Sequence, residues 1–354
     1  MFSKVFSEAC QNGVVELSVS ANALVMKEIN IHLVRRTLKE KREATKQQIA
    51  EATGLSTVTV ATILHQLIEE SRVIDAGFIA SAGGRPAQRF RFNENHSHVL
   101  VLFTHERDGQ DVLYVRVANL NGAAVYEVET PLAEINLHTF EPYIDAALQA
   151  YASIAAIGFG LPGVEFGGQV LGADYPALTG TAFLAHYQER YHLPMIFEND
   201  VNAACVGYCR RNQIASEAAT MYLYFPQKYA PGGGIYIDGK LYRGFSNYAG
   251  EVAGMPLGIN WLDPALYTSP ERVCEAIATL IEAISLLLNP QSVILYGAFL
   301  TDTHLDDIRQ RCAARQPANS IPHLSLATDF TLDFQNGIIE EALALLEPQF
   351  PISL

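Results

Sequence analysis

The sequence contains no run of about 18 uninterrupted apolar residues, so no membrane-spanning helix is expected. Its opening, "MFSKVFSEACQNGVVEL", lacks the compact apolar stretch and cleavage site of a secretory signal, and a cytoplasmic protein is expected. Cysteine is sparse. Cys10, Cys205, Cys209, Cys274 and Cys312 are scattered with no CxxC pair, which argues against a zinc knuckle or a disulfide framework. Neither a metal nor a cofactor is therefore expected. Cys205 and Cys209 are four residues apart after "ENDVNAA" and read as small apolar groups on one helix face. Basic residues are also scarce: 24 Lys+Arg against 38 Asp+Glu give a net charge of −14. Taken alone, that total argues against nucleic-acid binding by the chain as a whole.

The charge is unevenly spread, however. Residues 1–95 hold 12 of the 24 basic and 10 of the 38 acidic residues, a net of +2, which leaves −16 on residues 96–354. A mildly basic head on an acidic body suits a small nucleic-acid reader attached to a domain with another task. Chance segregation would give the same +2. At 354 residues the chain is also too long for one ordinary core. The boundaries expected are 20–95 for the head and 96–354 for the body; the first 20 residues carry no readable motif.

Three apolar-periodic stretches run from about residue 22 to residue 70. The first, "NALVMKEINIHLVRRTLKEKR", places Leu24, Ile31, Val34 and Leu38 on one stripe. In "TKQQIAEATGLS", Thr45 is positioned as an N-cap, Gln48 completes a capping box and Gly54 ends the helix. Ser56 then caps "TVTVATILHQLIEE". Ala50 is small where two helices cross, Gly54 can take the positive φ of a tight turn, and Leu55, Val60 and Ile63 supply apolar contacts. This is helix-turn-helix spacing. A plain helical hairpin has the same spacing.

"RVIDAGFIASAGGRPAQRFRFN" follows, two β-like runs around Gly83, Gly84, Arg85 and Pro86. It reads as the wing of a winged helix, with Arg85 available to a narrow, electronegative minor groove. A surface hairpin with no DNA role is the alternative. The expected DNA-contacting set is Lys46, Gln47, Ser56, Thr57, Thr59, Val60, Thr62, His65 and Arg85, mostly short polar groups suited to base edges and phosphates.

From about residue 98 the texture changes to strands alternating with helices. The strands read as "HVLVLF", "VLYVRVANLNGAAVYEVET", "IAAIGFGLPG", "PMIFEND", "ATMYLYF", "GGGIYIDGKLYRG" and "SVILYGAFL". Helices are expected near 138–152, from Val201, near 270–288 and near 336–346. Strands that end in Gly-rich turns and feed helices define an α/β class.

A winged helix ending in "GGRP", followed by "GFGLPG", "FENDVNAA", "DGKLYRG" and "GEVAGMPLG", resembles the ROK family of repressors, open reading frames and sugar kinases. The similarity is greatest to the family's transcriptional repressors, of the xylose and N-acetylglucosamine type, and covers roughly residues 20–345. The resemblance implies a two-lobed ribonuclease-H-like domain of the actin and hexokinase type, with a sugar cleft between the lobes. It also implies ligand roles for Gly163, Asn199, Asp200, Glu251 and, less directly, Glu275. Asp200 matches the family's catalytic base. Carboxylates suit sugars because one carboxylate accepts from two vicinal hydroxyls. The plain alternative for Asp200 is a helix N-cap, and for Glu251 a solvated loop carboxylate.

The family's kinases carry two glycine turns whose backbone N–H groups cradle phosphate. This chain has Thr104, His105, Glu106 and Arg107 where the first belongs, and "YAPGG" in place of the second, with Tyr229 for a threonine and Pro231 stiffening the turn. The zinc signature of many relatives is missing as well: Gly254 replaces its histidine, and only Cys274 remains of a cysteine cluster. The resulting reading is a non-enzymatic regulator. Its partners would be double-stranded operator DNA, a sugar or sugar-derivative effector, and further copies of itself in a dimer or tetramer. Two alternatives stand beside it: a sugar kinase with an appended DNA-binding head, and a ligand-independent DNA-binding protein with a vestigial cleft.

Overall fold

A computed structural model describes residues 19–79, 86–226 and 228–348. These divide into two units: residues up to 96 together with 347 and 348, and Ser97–Leu346. The expected head ended at 95 and did not include any C-terminal residue. Glu347 belongs with it because its carboxylate lies 3.4 Å from His32 Nδ1.

In the first unit, helix α1 (Val19–Lys41) leads into strand β1 (Glu43–Thr45), helices α2 (Lys46–Thr53) and α3 (Thr57–Glu69), and strands β2 (Val73–Ile79) and β3 (Ala87–Phe92). The local signals explain the boundaries. Thr45 Oγ1 accepts from the Gln48 amide at 3.3 Å, and Gln48 Oε1 accepts from the Thr45 amide at 2.9 Å, closing the capping box. Gly54 ends α2 at φ 71°, and Ser56 Oγ accepts from the Thr59 amide at 3.0 Å to start α3. Ile31, Val34 and Leu38 of α1 are buried with Ile49, Ile63, Leu64, Leu67 and Phe90, whereas Leu24 is exposed. β1, β3 and β2 form an antiparallel sheet in that order. The unit thus consists of a helix, a short strand, two helices and two antiparallel strands, in that order. Arg85 and its flanking glycines lie outside the described residues.

The second unit contains two five-stranded sheets. The first is built from β4 (His98–Arg107), β5 (Gln110–Asn119), β6 (Ala124–Pro131), β7 (Ile154–Gly160) and β10 (Met195–Glu198), in the order β10-β7-β4-β5-β6. A hairpin of β8 (Gly163–Phe166) and β9 (Gln169–Ala173) stands apart. The second sheet comprises β11 (Thr220–Tyr224), β12 (Gly232–Ile237), β13 (Lys240–Leu241), β14 (Ser292–Tyr296) and β15 (His323–Leu326), in the order β13-β12-β11-β14-β15. Each sheet has three antiparallel strands followed by two parallel additions beside its first strand. The same topology thus occurs twice.

Helices cover both sheets. α4 (Glu141–Ala150) and α5 (Phe183–Tyr191) share the outer core of the first sheet, through residues such as Ile144, Phe183 and Tyr187. After α6 (Asp200–Arg211) and a short α7 (Pro264–Tyr267), α8 (Pro270–Leu288) and α9 (Asp302–Arg315) cover the outer face of the second sheet. α6 and α10 (Phe330–Ala344) fill the space between the sheets, in one core with Val101, Phe103, Tyr222 and Ile294. These two helices approach closely: a Cβ on Gly337 would meet the Ala203 carbonyl oxygen at 1.7 Å, and one on Gly207 the Asp333 oxygen at 1.9 Å. Cys205 and Cys209 are free and buried in this core, in keeping with their reading as small apolar groups. Among the described residues no helix is long and apolar enough to cross a membrane.

Candidate functional site

A cavity of about 1220 Å³ opens between the two sheets of the second unit, at the C-terminal ends of β4 and β10 and beside the loop that precedes β12. Asn199 and Asp200, which follow strand β10, line it. The side-chain oxygen of Asn199 accepts from the amides of Val201 and Asn202 at 2.9 and 3.1 Å, and its Nδ2 lies 3.4 Å from the Gly163 carbonyl. Asn199, not Asp200, is therefore the N-cap of α6, which leaves the Asp200 carboxylate at the cavity. Glu198 Oε1 accepts from the Asn199 amide at 3.0 Å and from Asn202 Nδ2 at 3.1 Å, and its Oε2 accepts from Arg243 Nε at 2.8 Å, fixing the strand end from below.

Gly163, Asn199, Asp200 and Glu251 all line the cavity. Glu251 is placed by a tight backbone contact. The Gly233 amide donates to the Gly250 carbonyl at 2.8 Å, and Gly250 adopts φ 99°, where a Cβ would lie 1.8 Å from the Gly233 oxygen. Glu275 is not at the cavity. It sits on α8, where Arg311 Nη1 donates to its Oε2 at 2.7 Å and Arg315 to its other oxygen, so it ties α8 to α9. Its proximity to Cys274 in the sequence misplaced it, because the helix it belongs to covers the far face of the second sheet.

Two acidic residues and a tyrosine were missed by the sequence reading. Asp174 and Tyr175 follow β9, and Asp111 lies on β5; all three line the cavity. Tyr175 donates to Thr104 Oγ1 at 3.0 Å and stands 3.3 Å from Asp111 Oδ1. Burial, with Asp174 and Glu251 adding negative charge, raises Asp200 to about 7. Asp174 and Glu251 are also shifted upward, chiefly by burial. Asp200 is partly buried, and Asp174 and Glu251 are exposed along the same cavity. Three carboxylates lining one cavity, with backbone brought close at Gly163, can accept hydrogen bonds from several hydroxyls of one polyol.

A second part of the lining is different in kind. Thr104 to Arg107 and Lys228 to Gly233, the two stretches standing where phosphate-binding turns belong, both line it. Lys228 Nζ lies 3.0 Å from Glu106 Oε2, so a cation from one stretch is paired with a carboxylate from the other. His105, packed 5.0 Å from the Phe330 ring, is pushed down to about 4 by burial and is neutral near pH 7. A triphosphate entering here would meet a carboxylate and a neutral imidazole, and the lysine is already engaged. At Gly254 a Cβ would meet nothing within 4 Å, and Cys274 of α8 is buried in the core of the second sheet's outer face.

In the first unit the exposed face of α3 presents Thr57, Val58, Thr62 and His65, with Lys46 and Gln47 at the start of α2. Thr59 and Ser56 share a 2.8 Å hydroxyl contact at the cap, and Gln47 donates to Glu51 at 2.9 Å. Val60 cannot contact DNA: it is fully buried, on the stripe it shares with Ile63, Leu64 and Leu67. Its neighbour Val58, 75% exposed in the first turn, is the apolar group on that face that the sequence reading passed over.

Fold and cavity define a class: an N-terminal helical unit in one chain with a duplicated α/β domain that has a polar-lined cavity between its two sheets. Residues 109–260 match the ROK family. It is 26% identical over 242 residues to the xylose repressor of Caldicellulosiruptor bescii, covering 65% of this chain and 59% of that protein. The chain spans about three fifths of the length of the first relatives it matches. Among solved structures, it aligns with a ROK family transcriptional regulator described as a homolog of the E. coli MLC protein. That alignment has a TM-score of 0.69 and 17% identity, and it covers 91% of this chain and 97% of that one. The ROK family glucokinase of Streptomyces griseus, solved with glucose and AMPPNP, aligns over 70% of this chain and 99% of its own, with a TM-score of 0.53 and 17% identity.

Proposed function

We propose that the chain is a DNA-binding transcriptional regulator of carbohydrate metabolism, and that it represses by holding operator DNA through its winged helix. In this reading a sugar or sugar derivative occupies the carboxylate end of the cavity and shifts the population of states in which the DNA heads of an oligomer match their half-sites. A tenfold change in operator affinity needs only about 1.4 kcal/mol of preference of the ligand for one state. The xylose and N-acetylglucosamine repressors among the relatives support the regulatory reading.

One observation carries the choice of regulator over kinase: the Lys228–Glu106 ion pair spans the two stretches where phosphate turns would face each other, while the sugar-side acids Asp200 and Glu251 are retained. Asp200, near 7 and with no phosphate cradle opposite it, is then a ligand group and not a working base. The test is incubation of the full chain with ATP, Mg²⁺ and a panel of hexoses and pentoses. No sugar phosphate above background is expected, while at least one of the same sugars raises the melting temperature. ATP-dependent turnover would establish the kinase instead, and a flat thermal response across the panel would leave a DNA-binding protein with a vestigial cleft.

A further inference from the structure

Far from the cavity residues, three metal-ligating side chains converge on the outer face of the first sheet. His138 lies just before α4, Glu141 is the first residue of α4, and His186 is on α5. His138 Nδ1 is 2.7 Å and His186 Nε2 is 2.8 Å from the same carboxylate oxygen, Glu141 Oε1. One ligand atom from each of the three lies within 4.8 Å of the others, and the two imidazole rings meet edge to face at 5.1 Å. This is the one such group among the described residues.

We propose that His138, Glu141 and His186 form a binding site for a divalent transition ion of the Zn²⁺ type. Two imidazoles and a carboxylate are a donor set this ion takes with water in the fourth position. Donors about 2.0–2.2 Å from a tetrahedral ion stand about 3.3–3.6 Å apart, so the present contacts need to open by less than about 1 Å. The scaffold favours convergence. Phe140, which precedes Glu141, and Tyr187, which follows His186, are both buried in the core beneath the first sheet's outer helices. His138 is 69% exposed and free to swing. The second carboxylate oxygen is also engaged: Arg190 Nη1 stands 3.7 Å from Glu141 Oε2, which leaves Oε1 turned to the imidazoles. Arg190 itself is drawn aside by Asp145 at 2.9 Å, which reduces the repulsion an ion would meet. Bound there, the ion would clip α4 to α5. The site shares no residue with the positions at which relatives carry their zinc signature.

The competing description is a carboxylate that accepts from two imidazole N–H groups and binds no metal. The experiment is equilibrium dialysis of the untagged full-length chain against chelator-buffered Zn²⁺, with metal counted per chain. Wild type is expected to hold one Zn²⁺ more than H138A/H186A. Each single variant, H138A or H186A, should weaken that ion by at least the roughly 10–100-fold that loss of even an outer-shell partner costs. His138→Ala is the decisive single variant, because so exposed a side chain can be removed without unfolding the protein. His192→Ala, at an exposed position just past α5, is expected to change nothing. Co²⁺ offered in place of Zn²⁺ should give visible d–d absorption that H186A loses. Equal Zn²⁺ content and affinity in wild type and H138A/H186A would overturn the site.

Discussion

At the scale of single residues, Asp200 carries a pH dependence that can be tested directly. Its folded-state pKa of about 7 lies above the ordinary 3.8, with burial as the main cause. The native state therefore favours the protonated form. Below about pH 4 the group is neutral in both states and costs nothing; the cost grows between pH 4 and 7 and is complete above 7. At about 1.4 kcal/mol per unit, its ceiling is on the order of 4 kcal/mol. Asp200→Asn should accordingly stabilise the protein at pH 8 and lose that advantage by pH 4, measured by denaturant unfolding. A gain equal at both pH values would contradict the cause assigned. Two glycines make a second contrast. Gly337→Ala forces a Cβ into the Ala203 carbonyl and should cost about 3 kcal/mol or more, because two packed helices must separate. Gly254→His, where a Cβ meets nothing within 4 Å, should change stability by less than about 0.5 kcal/mol.

At the scale of elements, α2 and α3 are defined by their caps. Lys46→Ala, at an exposed first-turn position of α2, should weaken binding to all duplexes about equally and lower the salt-dependence slope by about 1. Val58→Asp puts charge on the exposed apolar spot of α3 and should reduce DNA affinity more than tenfold with the fold intact. Anisotropy titrations with a duplex selected from a random library read both effects. An unchanged salt slope for Lys46→Ala would remove it from the interface. These elements were legible in the sequence because short-range chemistry decides them: Thr45, Gln48, Gly54 and Ser56 act within four residues of their own positions. Three other elements were harder to read. α5 has no side-chain cap, and α9, although Thr301 and His304 form a capping box at its start, buries only Leu305, Ile308 and Cys312 beneath a charged surface. The β8–β9 hairpin owes its place to contacts such as Asn247 Nδ2 donating to the Glu165 carbonyl, 82 residues away in sequence. Asp174 was missed for that reason, since it reaches the cavity only because this hairpin is folded beside it. Val60 was misassigned although its spacing to Ile63, Leu64 and Leu67 follows the helical period of a buried stripe.

At the scale of the molecule, an acidic body follows a mildly basic head, and the body's cavity has a lining of two kinds. One part carries carboxylates suited to hydroxyls, and the other pairs Glu106 with Lys228 across the two stretches where phosphate turns would stand. Motifs such as "FENDVNAA" and "GEVAG" made the first part readable from the sequence. The pairing of Glu106 with Lys228 was not readable, because it joins side chains 122 positions apart. The central claim is that occupancy of the acidic end is reported as a change in DNA binding. It is tested most directly by the affinity of the full chain for its selected duplex, measured across a sugar panel in wild type and in Asp200→Ala. We predict that at least one sugar shifts the wild-type dissociation constant about tenfold or more, while Asp200→Ala binds the duplex normally and ignores that sugar. A wild-type affinity that no sugar alters, or a shift that survives intact in Asp200→Ala, would contradict the account.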